Sequence, residues 1–292
     1  MRKYNKGFKE EAVKLSDEVG VKQAASQFGI PYSTRRSMQP KPWQLLLVDI
    51  RNIYAQTPDN RNYGVGRNML ALEQNGVHVS RSSVRRAMKR SGLLKTPCRR
   101  ANSLTKADAV AQKAENLIRR DFSASVPNQK WLTDITQISC LDGKLYIVAV
   151  LDCYNGEIVG LAMDGNMKKE LCIRGFRSAC QTQDACGMIL HSDRGSQFTS
   201  AAFRKILSRY RAIQSMSSTG RCYDNARMES FFATLKKGKL YQLQTEKLPM
   251  GQVKSMVFRY IMTYYNRQRV YTANPGGLPP AMYRQAARGL AA

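Results

Sequence analysis

Three acids sit where a carboxylate either costs energy or is poised for chemistry. Asp134 lies within 130–140, a run that alternates like a strand, on the face shared by Leu132, Thr136 and Ile138. Asp193 directly follows the short apolar run Met188-Ile189-Leu190 and precedes Arg194-Gly195-Ser196. That is the C-terminal end of a strand, where α/β sheets present ligands. Glu229 belongs to a helix whose buried stripe is Met228, Phe231, Phe232 and Leu235, so its carboxylate emerges beside that stripe. Alone, Asp193 and Glu229 read equally well as a strand-end turn and a surface charge. A carboxylate among strand residues is harder to dismiss, because burying it without a partner is costly. Brought together, the three repel by about 4 kcal/mol per pair at ~4 Å and an effective dielectric of about 20. Two divalent cations, about 3.5–4 Å apart, would neutralise them and clamp a phosphodiester, one activating the nucleophile and the other stabilising the leaving oxygen. Oxygen-only ligands favour Mg²⁺ or Mn²⁺ over zinc or copper. With only His78 and His191 in the chain, the usual general bases are scarce.

The elements that must position these acids follow from pattern. A strand over 130–140, a turn at Leu141-Asp142-Gly143 and an apolar strand from Leu145 to Leu151 form a hairpin. Asn155-Gly156 signals a second hairpin into a strand from Ile158 to Met163. A helix near 168–183, a buried strand at 188–190, a helix through Phe203, Ile206, Leu207 and Tyr210, a strand over 212–216 and a long helix over 224–238 complete the block. Three antiparallel strands followed by alternating helices and strands imply an α/β fold, a mixed five-stranded sheet covered by helices. Asp152 reads as a turn residue and Asp224 as the cap of the Glu229 helix. Trp131 reads as core, and His191 and Ser192 as supports for Asp193.

Two small helical modules precede this block. Residues 1–38 read as helices with a Gly-containing turn and capping residues Ser33 and Thr34, the outline of a helix-turn-helix or of a plain three-helix bundle. Residues 44–96 read as a second helical module, with Leu46, Leu47, Ile50, Ile53 and Tyr54 on one helix and Val65, Met69, Leu70 and Leu72 on another. Ser80 caps its last helix, which carries Arg85, Arg86, Lys89 and Arg90 and ends at Gly92. Residues 97–127 form a linker, 128–240 the α/β block and 241–292 a basic helical C-terminal region. The net charge is +26. Residues 1–100 contain 20 basic and 7 acidic side chains and 236–292 contain 10 and 1, whereas 128–235 contain 13 and 10. Basic flanks around a near-neutral block point to nucleic acid. In that setting the four cations at 85–90 are expected to contact a DNA backbone. No apolar run is long enough for a membrane span, Met1-Arg2-Lys3-Tyr4 does not open a signal peptide, and seven cysteines form no Cys-x-x-Cys pair. A soluble cytoplasmic protein without a zinc module is expected.

Three stretches carry a resemblance to a known family: 131–136 (Trp-Leu-Thr-Asp-Ile-Thr), 191–198 (His-Ser-Asp-Arg-Gly-Ser-Gln-Phe) and 222–232 (Cys-Tyr-Asp-Asn-Ala-Arg-Met-Glu-Ser-Phe-Phe). In order and spacing they resemble the three motifs of bacterial insertion-sequence transposases of the retroviral-integrase superfamily, with an Asp, Asp-35-Glu triad on a ribonuclease H-like core. The resemblance implies metal-dependent DNA cleavage and strand transfer by Asp134, Asp193 and Glu229 with two Mg²⁺ or Mn²⁺ ions. It also implies double-stranded DNA partners (terminal repeats and target), a homo-oligomer on DNA and a bacterial nucleoid setting. The family's basic residue seven positions after the Glu maps to Lys236, about 20° round the helix from Glu229, within reach of the same DNA phosphate. The segment 264–269, Tyr-Tyr-Asn-Arg-Gln-Arg, matches the family's C-terminal signature, with Tyr271 where the family has His. Residues 4–34 resemble the helix-turn-helix of the family's upstream reading frame. Arg35 and Met38 depart from it, and the zipper-like segment that follows in the family is missing, as in an internally shortened fusion. Two other functions fit the same pattern: an idle DNA-binding remnant that represses the intact enzyme, and a ribonuclease H-type nuclease acting on RNA–DNA hybrids.

Overall fold

The computed structural model describes residues 21–28, 41–94, 114–218 and 222–289, with isolated helical positions 7, 11, 14, 15 and 18. Helix α1 spans Val21–Gln27. Ser33 and Thr34, and with them the turn and last helix expected of the first module, lie outside the described residues.

The second module is three helices. In α2 (Pro42–Gln56), Leu46, Leu47, Ile50, Ile53 and Tyr54 are buried, as their 3.6-residue spacing predicts. Helix α3 (Val65–Gln74) buries Ala71 and Leu72, and α4 (Arg81–Arg90) buries Val84, Ala87 and Met88. The Ser80 hydroxyl accepts from the Ser83 N–H and starts α4. Gly92, at φ +70°, ends the helix in the left-handed region that glycine tolerates.

The α/β block opens with the antiparallel strands β1 (Lys130–Cys140), β2 (Gly143–Asp152) and β3 (Ile158–Asp164). Helix α5 (Lys169–Cys180), strand β4 (Ile189–Ser192), the short helix α6 (Ser196–Thr199), α7 (Ala201–Arg209) and strand β5 (Ile213–Met216) follow. The sheet order is β3-β2-β1-β4-β5, with β1, β4 and β5 mutually parallel. Helix α8 (Ala226–Gly238) buries Met228, Phe231, Phe232 and Leu235. Side chains alternate across β1, so it feeds two cores: Leu132 joins the residues under α8, while Trp131 joins Phe176, Phe198 and Phe203 under α5 and α7.

Helix α5 lies close on the sheet because two glycines face each other. A Cβ on Gly160 would sit 2.5 Å from the Gly175 carbonyl oxygen, and one on Gly175 would sit 2.7 Å from Val148 Cγ1. Gly160→Ala is therefore expected to cost about 1–3 kcal/mol by overpacking, read from urea denaturation. A variant as stable as wild type would show that α5 can lift freely.

Helix α9 (Met250–Arg259) runs into a π-helical turn over Tyr260–Tyr265, and α10 spans Pro280–Gly289. The C-terminal side chains Val253, Val257, Tyr260, Ile261, Tyr264 and Tyr265 share one core with α2, α4, β1, β2 and α8. Asn62 Nδ2 donates to the Gly238 carbonyl at 2.7 Å, Gln74 Nε2 to that of Gly276 at 2.8 Å, and Lys239 pairs with Asp59 at 3.1 Å. These bonds dock the helical module against the segments that follow α8.

Candidate active site

Pairing between parallel strands brings the first two acids together. Leu132 of β1 pairs with His191 of β4, the last pair of that ladder and two residues before Asp134 and Asp193, and Asp134 feels the charge of Asp193. Neighbouring strands lie about 4.8 Å apart. Asp134 accepts from the Ile135 N–H at 2.8 Å, and Asp193 from the Gly195 N–H at 3.0 Å. Below Asp193, His191 is fully buried between Ser215 and Ser217, with ring nitrogens 2.9 and 3.2 Å from their hydroxyls. Burial pushes this imidazole down to about 4, so at neutral pH it is an uncharged brace.

Glu229 approaches from the helix above. Asn225, the residue before α8, donates from Nδ2 to the Thr133 carbonyl at 3.2 Å and pins the helix start beside Asp134. Arg227 reinforces this, donating to the carbonyls of Phe122 at 2.8 Å and Cys153 at 2.7 Å. Glu229 is exposed, while Asp134 and Asp193 are partly buried. Burial first, then the charges of Asp193 and Glu229, push Asp134 up to about 8. Burial likewise raises Asp193 and Glu229. Burial lowers Lys236, which feels the charge of Asp134, so this lysine sits on the acids' side of α8, as its spacing from Glu229 predicts.

Three oxygen donors whose ionised forms oppose one another suit a hard divalent cation. Among the described residues no group of three or more His, Cys, Asp or Glu side chains stands together as a metal-holding set. A pH dependence follows. Asp134 has a folded-state pKa above its ordinary value, so its favourable contribution is complete below about pH 4 and is lost as pH rises through about 8. The metal-free fold should weaken over that window, and Mg²⁺ should raise the melting temperature more near about pH 8 than near about pH 6, releasing protons as it binds. Thermal scans with and without Mg²⁺ check this; an equal rise at both pH values would sink it.

One residue differs from its sequence reading and another goes beyond it. Asp224 caps nothing: its carboxylate accepts from Asn116 Nδ2, Arg120 Nε and the Ser218 N–H, each at 2.9 Å, and so ties three loops together. Asp152 is a turn residue, as read, its carboxylate accepting from the Tyr154 N–H at 3.0 Å, yet it is also fully buried and 2.6 Å from Arg284. Tyr271 also gains a place, its ring filling the space above Gly156, where a Cβ would meet it at 2.4 Å. Asn225 was missed as a positioning residue; the polar pair Asp224-Asn225 before an apolar helix was the available signal.

Away from the acids, Arg85, Arg86, Lys89 and Arg90 are all exposed on α4, and Arg90 lies 5.6 Å over the Trp43 ring. Cys140, Cys153, Cys172, Cys180 and Cys186 are free thiols. No helix among the described residues is long and apolar enough to cross a membrane.

Residues 124–222 match the family model for the integrase core domain, and residues 42–102 match that for an HTH-like domain. The insertion element IS600 uncharacterized 31 kDa protein of Shigella sonnei is 34% identical over 85% of this chain and 89% of that relative. The transposase for insertion sequence element IS904 of Lactococcus lactis is 31% identical over 82% of this chain and 93% of its own length. Transposase InsF for insertion sequence IS3A of Escherichia coli is 32% identical over 78% of this chain and 79% of its own. Among solved structures, the HTLV-2 integrase catalytic core domain in complex with magnesium matches with 18% identity and a TM-score of 0.43, covering 55% of this chain and 99% of that one.

Proposed function

The chain belongs to the insertion-sequence transposases, with a ribonuclease H-like integrase core behind an HTH-like domain, and from that membership we propose that Asp134, Asp193 and Glu229 are its catalytic, metal-holding triad. The family acts in DNA transposition as a divalent-metal-dependent polynucleotidyl transferase. We assign two Mg²⁺ or Mn²⁺ ions to this chain. When bound, they supply the charge that activates the attacking oxygen and stabilises the leaving one at a scissile phosphodiester. The protein's own part is to hold the carboxylates in place. The parallel pairing of β1 with β4 up to Leu132 and His191, two residues before Asp134 and Asp193, is the observation that supports this most. The Gly195 N–H fixes Asp193, His191 ties the end of β4 to Ser215, and Asn225 fixes the helix of Glu229. Lys236, near the acids on α8, is assigned to a phosphate of the same DNA end.

The DNA is held by the basic flanks, with Arg85, Arg86, Lys89 and Arg90 on the backbone of the element's terminal repeats, and a homo-oligomer assembles on the paired ends. Purified protein incubated with labelled terminal-repeat duplex should cleave and join strands with Mg²⁺ or Mn²⁺. With Ca²⁺ it should bind without chemistry, because the larger ion holds a looser geometry. Binding without any product in Mn²⁺ would identify an idle remnant, and cutting confined to RNA–DNA hybrids a ribonuclease H. Replacing all four α4 cations with Gln should flatten the log–log salt dependence of duplex binding by up to about 3.6, at ~0.9 per phosphate. An unchanged slope, read by fluorescence anisotropy, would remove α4 from the DNA interface.

A further inference from the structure

Buried cations need a counter-charge, and among the described residues the seam between the helical module and the C-terminal segment holds two without one. Arg269 is only 6% exposed. Its guanidinium lies 5.3 Å from the centre of the Tyr265 ring and forms no ion pair among the described residues. Arg67, in the first turn of α3, is half-buried, and its Nε is sealed from solvent with no hydrogen-bond partner among the described residues. The fold joins their segments, the N–H of Val270, next to Arg269, donating to the Tyr63 hydroxyl ahead of α3 at 2.9 Å, and burial and the charge of Arg269 together push Arg67 below its ordinary value. Tyr63, Tyr260 and Tyr264 surround Arg67, and burial keeps Tyr260 neutral, pushed up to about 12. Asp59, the acid felt by Tyr260, is already bonded to Lys239 at 3.1 Å. The first amides of α3 have no acceptor within the helix, and the space around Gly64 and Gly66 is open. The helix dipole adds positive potential at that end.

We propose that Arg67 and Arg269 form an oxyanion pocket that takes one backbone phosphate of bound DNA. Two guanidinium forks suit the several acceptor oxygens of a phosphate, and neutral phenols and helix-end amides supply further donors. Filling the pocket relieves the repulsion between the arginines and fastens the HTH-like module to the segment 264–269 when DNA is held. This gives the Tyr-Tyr-Asn-Arg-Gln-Arg stretch a role in DNA grip remote from the triad. The pocket rests on the DNA-acting reading above, but one arm of its test needs no DNA.

In the full-length chain, inorganic phosphate at fixed ionic strength should raise the melting temperature above its value in chloride, and Arg67→Gln should abolish that rise. Arg67→Gln should also flatten the salt dependence of duplex binding by about 0.9, the value of one phosphate. Adding Arg269→Gln should flatten it no further, because both side chains grip the same phosphate; Arg269→Lys serves if the Gln variant does not fold. No phosphate effect on wild type would overturn the pocket. A phosphate effect with an unchanged slope would assign it to free phosphate and overturn the DNA contact. A double variant that loses twice as much would mean two separate contacts and overturn the shared site. Failure to cleave DNA with the phosphate effect intact would count against the triad and not against the pocket.

Discussion

Asp134→Asn, Asp193→Asn and Glu229→Gln are each expected to lower strand cleavage and strand transfer by about a thousandfold or more, with duplex binding nearly unchanged. Each substitution keeps the side chain's size and removes one negative charge from the proposed metal site. Losing several kcal/mol of transition-state stabilisation, about 4, corresponds to three powers of ten in rate. Binding should persist because backbone contacts are made by cations elsewhere on the chain, in a protein of net charge +26. The three need not behave alike in the metal-free state. Asp134 is the acid most raised by its surroundings, through burial and the charges of Asp193 and Glu229. Asp134→Asn should therefore stabilise the metal-free fold at neutral pH, while Glu229→Gln, on an exposed helix face, should do so less. Single-turnover assays on labelled DNA ends, paired with melting curves, read both effects. Robust cleavage by any one of the three would refute the assignment, and a metal-free Asp134→Asn variant that melts earlier than wild type would refute the electrostatic account.

The parts of this site that were legible are those that depend on local pattern. Strands 130–140 and 145–151 alternate or run apolar over their whole length, and the residues facing the core under α8 are those the 3.6-residue period selects. Lys236 could be set near Glu229 from helical geometry alone, and its coupling to Asp134 agrees. What local pattern does not encode is the pairing of β1 with β4, because a parallel partner lies a helix and a loop away in the chain. The resemblance to a family supplied that juxtaposition, and the β1–β4 pairing, which ends two residues before both acids, gives a physical reason for it. Asp224 misled because an acid before a helix is a favoured cap, yet its three donors, Asn116, Arg120 and Ser218, come from other loops. Arg67 and Arg269 lie far apart in the chain, and only the fold joins their segments, through the Val270 N–H donating to the Tyr63 hydroxyl at 2.9 Å.

Arg284→Met is expected to cost about 3–5 kcal/mol of stability, the largest loss of any single substitution away from the acids. Asp152 ends β2, directly across from Trp131 of β1, and is completely buried. Burial pushes its carboxyl above the usual range, and the N–H groups of Tyr154 and Asn128, both at 3.0 Å, offset that only in part. Arg284, on α10 and 4% exposed, supplies the remaining compensation. Its Nη2 donates to Asp152 at 2.6 Å, its Nε to Glu157 at 2.5 Å, and its Nη1 to Gln183 at 2.8 Å and Asn128 at 3.2 Å. Methionine matches the side chain's bulk but leaves an unpaired carboxylate in a dry site, which is why the loss should exceed that of an exposed ion pair. Adding Asp152→Asn to Arg284→Met should recover much of the loss, since the amide is neutral and keeps an oxygen for both backbone N–H groups. Urea denaturation of the two single variants and the double variant measures this coupling directly. If Arg284→Met loses less than about 1 kcal/mol, the cluster is solvated and α10 is only loosely attached to the sheet. If the double variant is no better than the single, the loss comes from Glu157 and Gln183, and the charge on Asp152 is not its cause.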